Sequence, residues 1–407
     1  MNTILHSYPS WATPDGESPT ANHYRSHHNS LLNALYQKVL VPLSSPANFV
    51  ANSFMRIFTH INPGEDCSWS VAKVAKIAGL ILAIALITPP AIIPIALLVL
   101  ARLAMTALKP TMMVVINNNL LPPTPAQNDA IRLMSYNTGL MPEPASTLNH
   151  LQNPDTRAHA IAEKIIRTNS DVVALQEVFD IGATQALVKS LKAHYPYIIH
   201  SVGDKPFGLN SGLFFASKYP IVDAQFHKFT NLAREDALAS KGLLLVTLQN
   251  DTQLVTIGNT HLQAIDGAPY DTIRQEQLEA VEKLYRDHVT EKPTFLLGDL
   301  NMAAKRCTGV GPLGLLSEGG AVYEGSNFCD VHLSDGESPV GSFYDTDKPS
   351  SWESDTPEVK AGRIDYILRY NPLGDLDVPR VDINTEFGKI SDHLPVTAKV
   401  RLRAIAE

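Results

Sequence analysis

Residues 293–301 read PTFLLGDLN, a short apolar run that stops at an aspartate and an asparagine. The apolar part is too short for a helix and carries no amphipathic period, so it predicts a strand at 294–297 buried on both faces. Asp299 and Asn301 then stand at the strand's end. Working outward, the same arrangement recurs. Asn137 ends IRLMSYN, Glu177 follows DVVALQ, and His261 ends LVTIGNTH. Asp365 lies inside the apolar RIDYIL, and Asp392 with His393 opens SDHLPV.

Any one of these is weak, because a carboxylate at a strand end is more often a turn or cap residue. Together they supply hard oxygen ligands suited to Mg²⁺, amide groups, and two imidazoles able to move protons. The runs behind them predict strands at 131–137, 171–176, 212–217, 243–248, 254–260 and 294–297. Helical patterns fall at 156–168, 182–193 and 271–288. Such alternation indicates a layered α/β domain.

The N-terminal part reads differently. Residues 77–101 hold no charged side chain, with Lys73 and Lys76 before them and Arg102 and Lys109 after. The run is long enough for one membrane span, but Pro89, Pro90 and Pro94 break it near its middle. Two pieces of about a dozen residues each are too short to cross separately, which favours an apolar hairpin at about 77–108 dipping into one leaflet. The competing reading is a helical hairpin buried in a soluble core. Residues 30–62 carry Leu31, Leu32, Leu35, Tyr36, Val39 and Leu40 at near-helical spacing, either an ordinary packed helix or an interfacial one. Residues 117–128 (NNNLLPPTPAQN) read as a linker. The expected division is a membrane-associating region at 1–125 and a catalytic domain at 126–407.

Composition sets limits. Hydrophobic residues make up 44% and charged residues 18%, enough for a sizeable core. The net charge of -8 argues against a protein that holds long nucleic acid, so no nucleic-acid partner is expected. Cys67, Cys307 and Cys329 are odd in number with no paired spacing, which points to a reducing compartment. The first residues lack a charged-then-apolar pattern, so a cleaved secretory signal is not expected.

The ordered set N…QE…H…GDxN…RIDY…SDH resembles the endonuclease/exonuclease/phosphatase superfamily, the DNase-I-like fold, over about residues 131–402. Within it, LQEVFD (175–180), LNSGLFFASKYPIVD (209–223) and EDALASKG (235–242) look like the neutral sphingomyelinases of the mammalian membrane-bound type. The resemblance implies a four-layered α-β-β-α sandwich with its active site at one edge. It implies an Mg²⁺-dependent enzyme, with Mn²⁺ as a substitute, that hydrolyses sphingomyelin to ceramide and phosphocholine at a membrane surface. Whether an activating anionic lipid takes part stays open.

By the same resemblance, Glu177 binds the metal with Asn137 supporting it and Asp392 as a metal-side carboxylate. Asp299 and Asn301 position the nucleophile and the phosphate oxygens, His261 contacts the phosphate, and His393 is the general base oriented by Asp365. Asp236 and Lys241 would form a switch over substrate access; the competing reading of the residues alone is a solvated surface pair worth little. The family's long insertion between the first two motifs is absent here. A phosphoinositide 5-phosphatase is the nearest alternative, and VKAGRIDY (359–366) counts against it. A DNA nuclease and a non-catalytic membrane adaptor fit less well.

Overall fold

The computed structural model describes residues 112–117 and most of 130–402. Within the latter span, residues 150, 204–208, 251–252, 289–292, 303–327, 330–340, 345–362 and 371–380 are not described, and before residue 112 only scattered helical positions are. The expected helix within 30–62 and most of the apolar hairpin at about 77–108 therefore lie outside the described residues. Those hairpin positions that are described are helical, and Ile81, Leu82, Ile92, Ile93, Leu97 and Leu100 are all exposed. Among the described residues no helix is long and apolar enough to cross a membrane.

Two sheets form the body of the molecule. The first contains β1 (Met113–Ile116), β2 (Ala130–Asn137), β3 (Val172–Gln176), β4 (Tyr197–His200), β5 (Phe214–Ser217), β12 (Val381–Ile383) and β13 (Val396–Arg401), in the order β1-β4-β5-β3-β2-β13-β12. The second contains β6 (Ile221–Lys228), β7 (Gly242–Asn250), β8 (Gln253–His261), β9 (Thr294–Asp299), β10 (Phe328–Cys329) and β11 (Asp365–Tyr370), in the order β10-β11-β9-β8-β7-β6. The helices are α1 (Glu143–Leu148), α2 (Pro154–Thr168), α3 (Ile181–Leu191) and α4 (Ala268–His288).

The strands are apolar on both faces because each face meets a different layer. Ile131 and Leu133 of β2, Val172 and Ala174 of β3, Phe295 and Leu297 of β9, and Leu244 and Val246 of β7 share one core between the sheets. Their neighbours point outward. Met134, Tyr136, Val173 and Leu175 pack on α2 and α3 through Ile161, Ile165, Leu187 and Leu191. Leu243, Leu245 and Leu296 pack on α4 through Leu278, Val281 and Tyr285. The result is the expected four-layered α-β-β-α sandwich.

Helix ends follow local chemistry. The Asn153 side chain accepts hydrogen bonds from the Asp155 and Thr156 amides, and Pro154 takes the first turn, so α2 starts earlier than the periodicity alone suggests. Asp180 caps α3 by accepting from the Ala183 amide.

One boundary moves. β1 lies on the N-terminal side of the expected division at residues 125 and 126, yet it pairs antiparallel with β4, Met113 opposite His200. A short run of Met and Val carries no hydrophilic alternation and is hidden in sequence between the apolar stretch and the Pro-rich linker. A truncation that preserves the sandwich has to begin before residue 112.

His200, at the end of β4, is buried, and burial lowers its pKa from the ordinary 6.5 to about 4. The folded chain thus refuses a proton that the unfolded chain accepts. Its stabilising contribution is complete above pH 6.5 and is lost as pH falls toward 4, amounting to about 3 kcal/mol. Urea unfolding of wild type and His200→Asn at pH 7 and pH 4.5 should show wild type losing about 2–3 kcal/mol more. Equal losses would remove His200 as the cause.

Candidate active site

The topology brings six chain segments to one edge of the sandwich. β2 and β3 run parallel with Asn137 opposite Gln176, and β8 and β9 run parallel with His261 opposite Asp299. β11 is antiparallel to β9 and begins with Asp365 opposite Asp299. Asp392 and His393 immediately precede β13, whose Val396 faces Ser135 of β2.

Asn137 is the hub. Its Nδ2 donates to Glu177 Oε1 at 3.0 Å and to Asp299 Oδ2 at 2.9 Å, and lies 3.5 Å from His393 Nε2. Its Oδ1 accepts the Gly139 amide at 3.1 Å. The amide oxygen that would ligate a cation is therefore turned inward, and Asn137 here steadies two carboxylates as a donor. Glu177 reaches the site because its backbone takes a left-handed turn, φ 58°, directly after β3. Gly212 (φ 73°) makes room for it: a Cβ there would come within 2.7 Å of the Phe179 ring and 3.2 Å of Glu177 Cα.

His393 and Asp365 form a dyad, Nδ1 to Oδ2 at 2.8 Å. Asp365 is fully buried, and its Oδ2 also accepts the Ser342 hydroxyl at 2.7 Å. Burial alone would lower the His393 pKa. The charges of Asp365 and Asp299 and the bond to Asp365 outweigh it and hold His393 well above its ordinary value. His261 shows the opposite balance. Burial, then Lys241 and His393, hold it well below 6.5 and neutral. Its Nε2 lies 3.2 Å from Lys241 Nζ, 3.7 Å from Asp299 Oδ2 and 3.9 Å from Glu177 Oε1. A neutral imidazole facing an ammonium through Nε2 accepts there and carries its proton on Nδ1.

Asp299 Oδ1 accepts the Asn301 amide at 2.8 Å, and Asn301 itself has φ 51°. Lys241 and Asp236 meet at 2.7 Å. Lys241 is 1% exposed and Asp236 13%, so the solvated-surface reading of this pair is wrong. The second partners are Leu262 O for Lys241, at 2.9 Å, and the Ala264 amide for Asp236 Oδ2, at 2.6 Å. Sequence spacing could not show this, because it is β8 and its following loop that enclose the pair.

The donor set suits a divalent metal. Glu177 is pushed up to about 7, first by burial and then by Asp392, against the Asn137 bond and the charges of His393 and Lys241. Asp299 is pushed up to about 6 by burial and then by Asp365. Buried oxygen donors that resist losing their protons are relieved by a hard cation. Asp299, Asp365 and His393 also present ligand atoms within 4.8 Å of one another, a trio that differs from the expected set of Glu177, Asn137 and Asp392. Since Asp365 and His393 already bond each other, Glu177 and Asp299 are the better-placed anchors.

All ten residues singled out in the sequence thus lie at this edge or beside it. Three supports were not singled out. Ser342 arrives through a short pairing in which the Leu394 amide donates to Ser342 O and the Tyr344 amide to Asp392 O. Arg157 is buried in α2 and donates to the carbonyls of Thr138 and Ile390, tying the loops after β2 and before β13. Asn259 of β8 accepts from Gln176 Nε2 at 2.8 Å and donates to Leu175 O and Phe214 O, joining the two sheets beneath the site. Only the odd polar residue inside an apolar strand, Gln176 or Asn259, marks these in the sequence.

Comparison with known proteins agrees with this architecture. Sphingomyelin phosphodiesterase 3 of Mus musculus is 27% identical over 338 residues, a match that takes in 66% of this chain and 50% of the relative. Sphingomyelinase C of Bacillus cereus is 28% identical over 196 residues, 43% of this chain and 58% of the relative. The chain therefore spans only about half the length of these curated relatives. Among solved structures, beta toxin from Staphylococcus aureus with bound magnesium ions shares the fold, with TM-score 0.51 and 21% identity over 66% of this chain and 98% of that one. Residues 134–393, running from the middle of β2 through the His393 dyad, match the model of the Endonuclease/Exonuclease/phosphatase family, and the chain belongs to that family.

Proposed function

We propose that this chain hydrolyses the phosphodiester of sphingomyelin, releasing ceramide and phosphocholine, with Mg²⁺ at Glu177 and Asp299. The His393–Asp365 dyad at 2.8 Å, beside the buried Asp299 and the half-buried Glu177 that share Asn137, carries the reading. The relatives named for sphingomyelin cleavage support the substrate, and the magnesium-bound beta toxin supports the ion. The exposed apolar side chains between Ile81 and Leu100 support work at a membrane surface.

Residue roles follow from position. Asp365 and Ser342 hold the His393 ring by Nδ1, leaving Nε2 of its neutral form to take the proton of an attacking water. Asn137 and the Asn301 amide fix the Asp299 carboxylate beside it. His261 and His393 both bring Nε2 close to Asp299 Oδ2, at 3.7 and 3.8 Å, and His261 is the one assigned to contact a phosphate oxygen. A bound Mg²⁺ supplies the positive charge that a phosphodiester and these carboxylates both need.

Phosphocholine release from sphingomyelin vesicles, with phosphoinositide vesicles and plasmid DNA as competitors, tests the substrate. Chelator should abolish activity and Mg²⁺ or Mn²⁺ restore it. Glu177→Gln should lose more than the roughly 10–100-fold that removal of a group supporting a metal ligand costs. Mg²⁺ should also raise the melting temperature of wild type and not of Glu177→Gln, since only a state that binds the ion is stabilised by it. Preferred release of inorganic phosphate from phosphoinositides would overturn the substrate.

A further inference from the structure

We propose that Arg274 is a positioning residue for this site, locking the loop after His261 in a strained form on which four functional side chains depend. The activity part of this proposal rests on the hydrolase reading above. After β8 the chain passes through Leu262, Gln263, Ala264 and Ile265 before α4 begins at Ala268. Arg274 sits in the second turn of α4, only 2% exposed. Its Nη1 donates to Gln263 O at 2.9 Å and Ile265 O at 2.7 Å, with Ala264 O at 3.5 Å, and its Nη2 donates to the Asp271 carboxylate. Gln277, one turn on, accepts the Gln263 amide at 2.9 Å.

This loop needs restraint. Ile265 has φ 73°, a left-handed conformation that a β-branched side chain adopts at a cost of roughly 1–3 kcal/mol unless its surroundings over-determine it. A guanidinium that collects carbonyls on either side of the strained peptide is such a surrounding. The other edge of the loop faces the site. Leu262 O accepts Lys241 Nζ at 2.9 Å and Asn301 Nδ2 at 3.3 Å, and the Ala264 amide donates to Asp236 at 2.6 Å. His261 is the residue directly before. Relaxing Ile265 would turn these peptide groups and release Asp236, Lys241 and Asn301 together, with no contact between Arg274 and substrate.

The test uses the full chain and Arg274→Lys, which keeps the charge but loses the planar fork. Hydrogen exchange at the Ala264 amide should speed up by at least tenfold. Turnover of detergent-dispersed sphingomyelin should fall roughly 10- to 100-fold, as misplacement of a remote support does, with KM within about twofold. Adding Ile265→Gly should recover much of the turnover, because glycine holds φ 73° without strain. Asp271→Ala removes an exposed partner of the guanidinium and is the milder variant should Arg274→Lys not fold; it should give smaller changes in the same direction. Unchanged exchange and turnover, or losses that track the melting temperature and are not recovered by glycine, would reduce Arg274 to a support of α4. If wild type cleaves none of the substrates, the functional reading fails, and exchange at Ala264 still decides whether Arg274 locks the loop.

Discussion

His393→Ala is expected to lower turnover by roughly 10²–10⁴-fold while leaving KM near its wild-type value, the pattern of a lost general base. The expectation rests on one contact and its surroundings. Nδ1 is committed to Asp365 at 2.8 Å, so Nε2 is the nitrogen left to face the cleft, 3.8 Å from Asp299. Asp365→Asn should also be slow, because an amide can present a donor to Nδ1 and invert the tautomer. Ser342→Ala should cost less, since it removes one of two bonds to Asp365 Oδ2 and leaves the dyad whole. Steady-state kinetics with a thermal-unfolding control on each variant checks the order. A His393 variant that loses affinity with turnover intact would take the residue out of this role.

Lys241→Met should destabilise the fold by about 3–5 kcal/mol, because it strands a nearly buried carboxylate. For a domain of this size that lowers the melting temperature on the order of 10 °C. A solvated surface pair would contribute little, and burial reverses that: at 1% and 13% exposure neither charge is compensated by water. The double variant Asp236→Asn/Lys241→Met should be more stable than Lys241→Met alone, a non-additive result that independent residues would not give. Activity should fall in each single variant beyond what unfolding explains. Lys241 lies 3.2 Å from His261 Nε2, so removing or moving the ammonium frees that nitrogen and changes which tautomer His261 presents to the site. Calorimetry and vesicle assays on the four-member set separate the two effects. Additive losses would return the pair to an uncoupled role.

The sequence by itself determined the layers of this protein and most of its reactive groups. The stretches VVAL (172–175) and FLLG (295–298) carry no polar side chain, as a strand covered on both sides requires, and they alternate with patterned helices. The polar residue ending each run is conspicuous because the run before it is mainly apolar, so Asn137, Glu177, His261 and Asp299 were legible without coordinates. What only the tertiary structure decided is how those groups are shared and supported. Asp365 and His393 are separated in the chain and meet because β11 and β13 start at the same edge on opposite sheets. β1 was unreadable because a four-residue strand has no period to detect, and its place is set by pairing with β4. The burial of Asp236 and Lys241 under the loop after His261 and the sharing of Asn137 Nδ2 between Glu177 and Asp299 are long-range matters. Periodicity reports which face of an element is covered; it carries no record of which distant backbone group a polar side chain will find there.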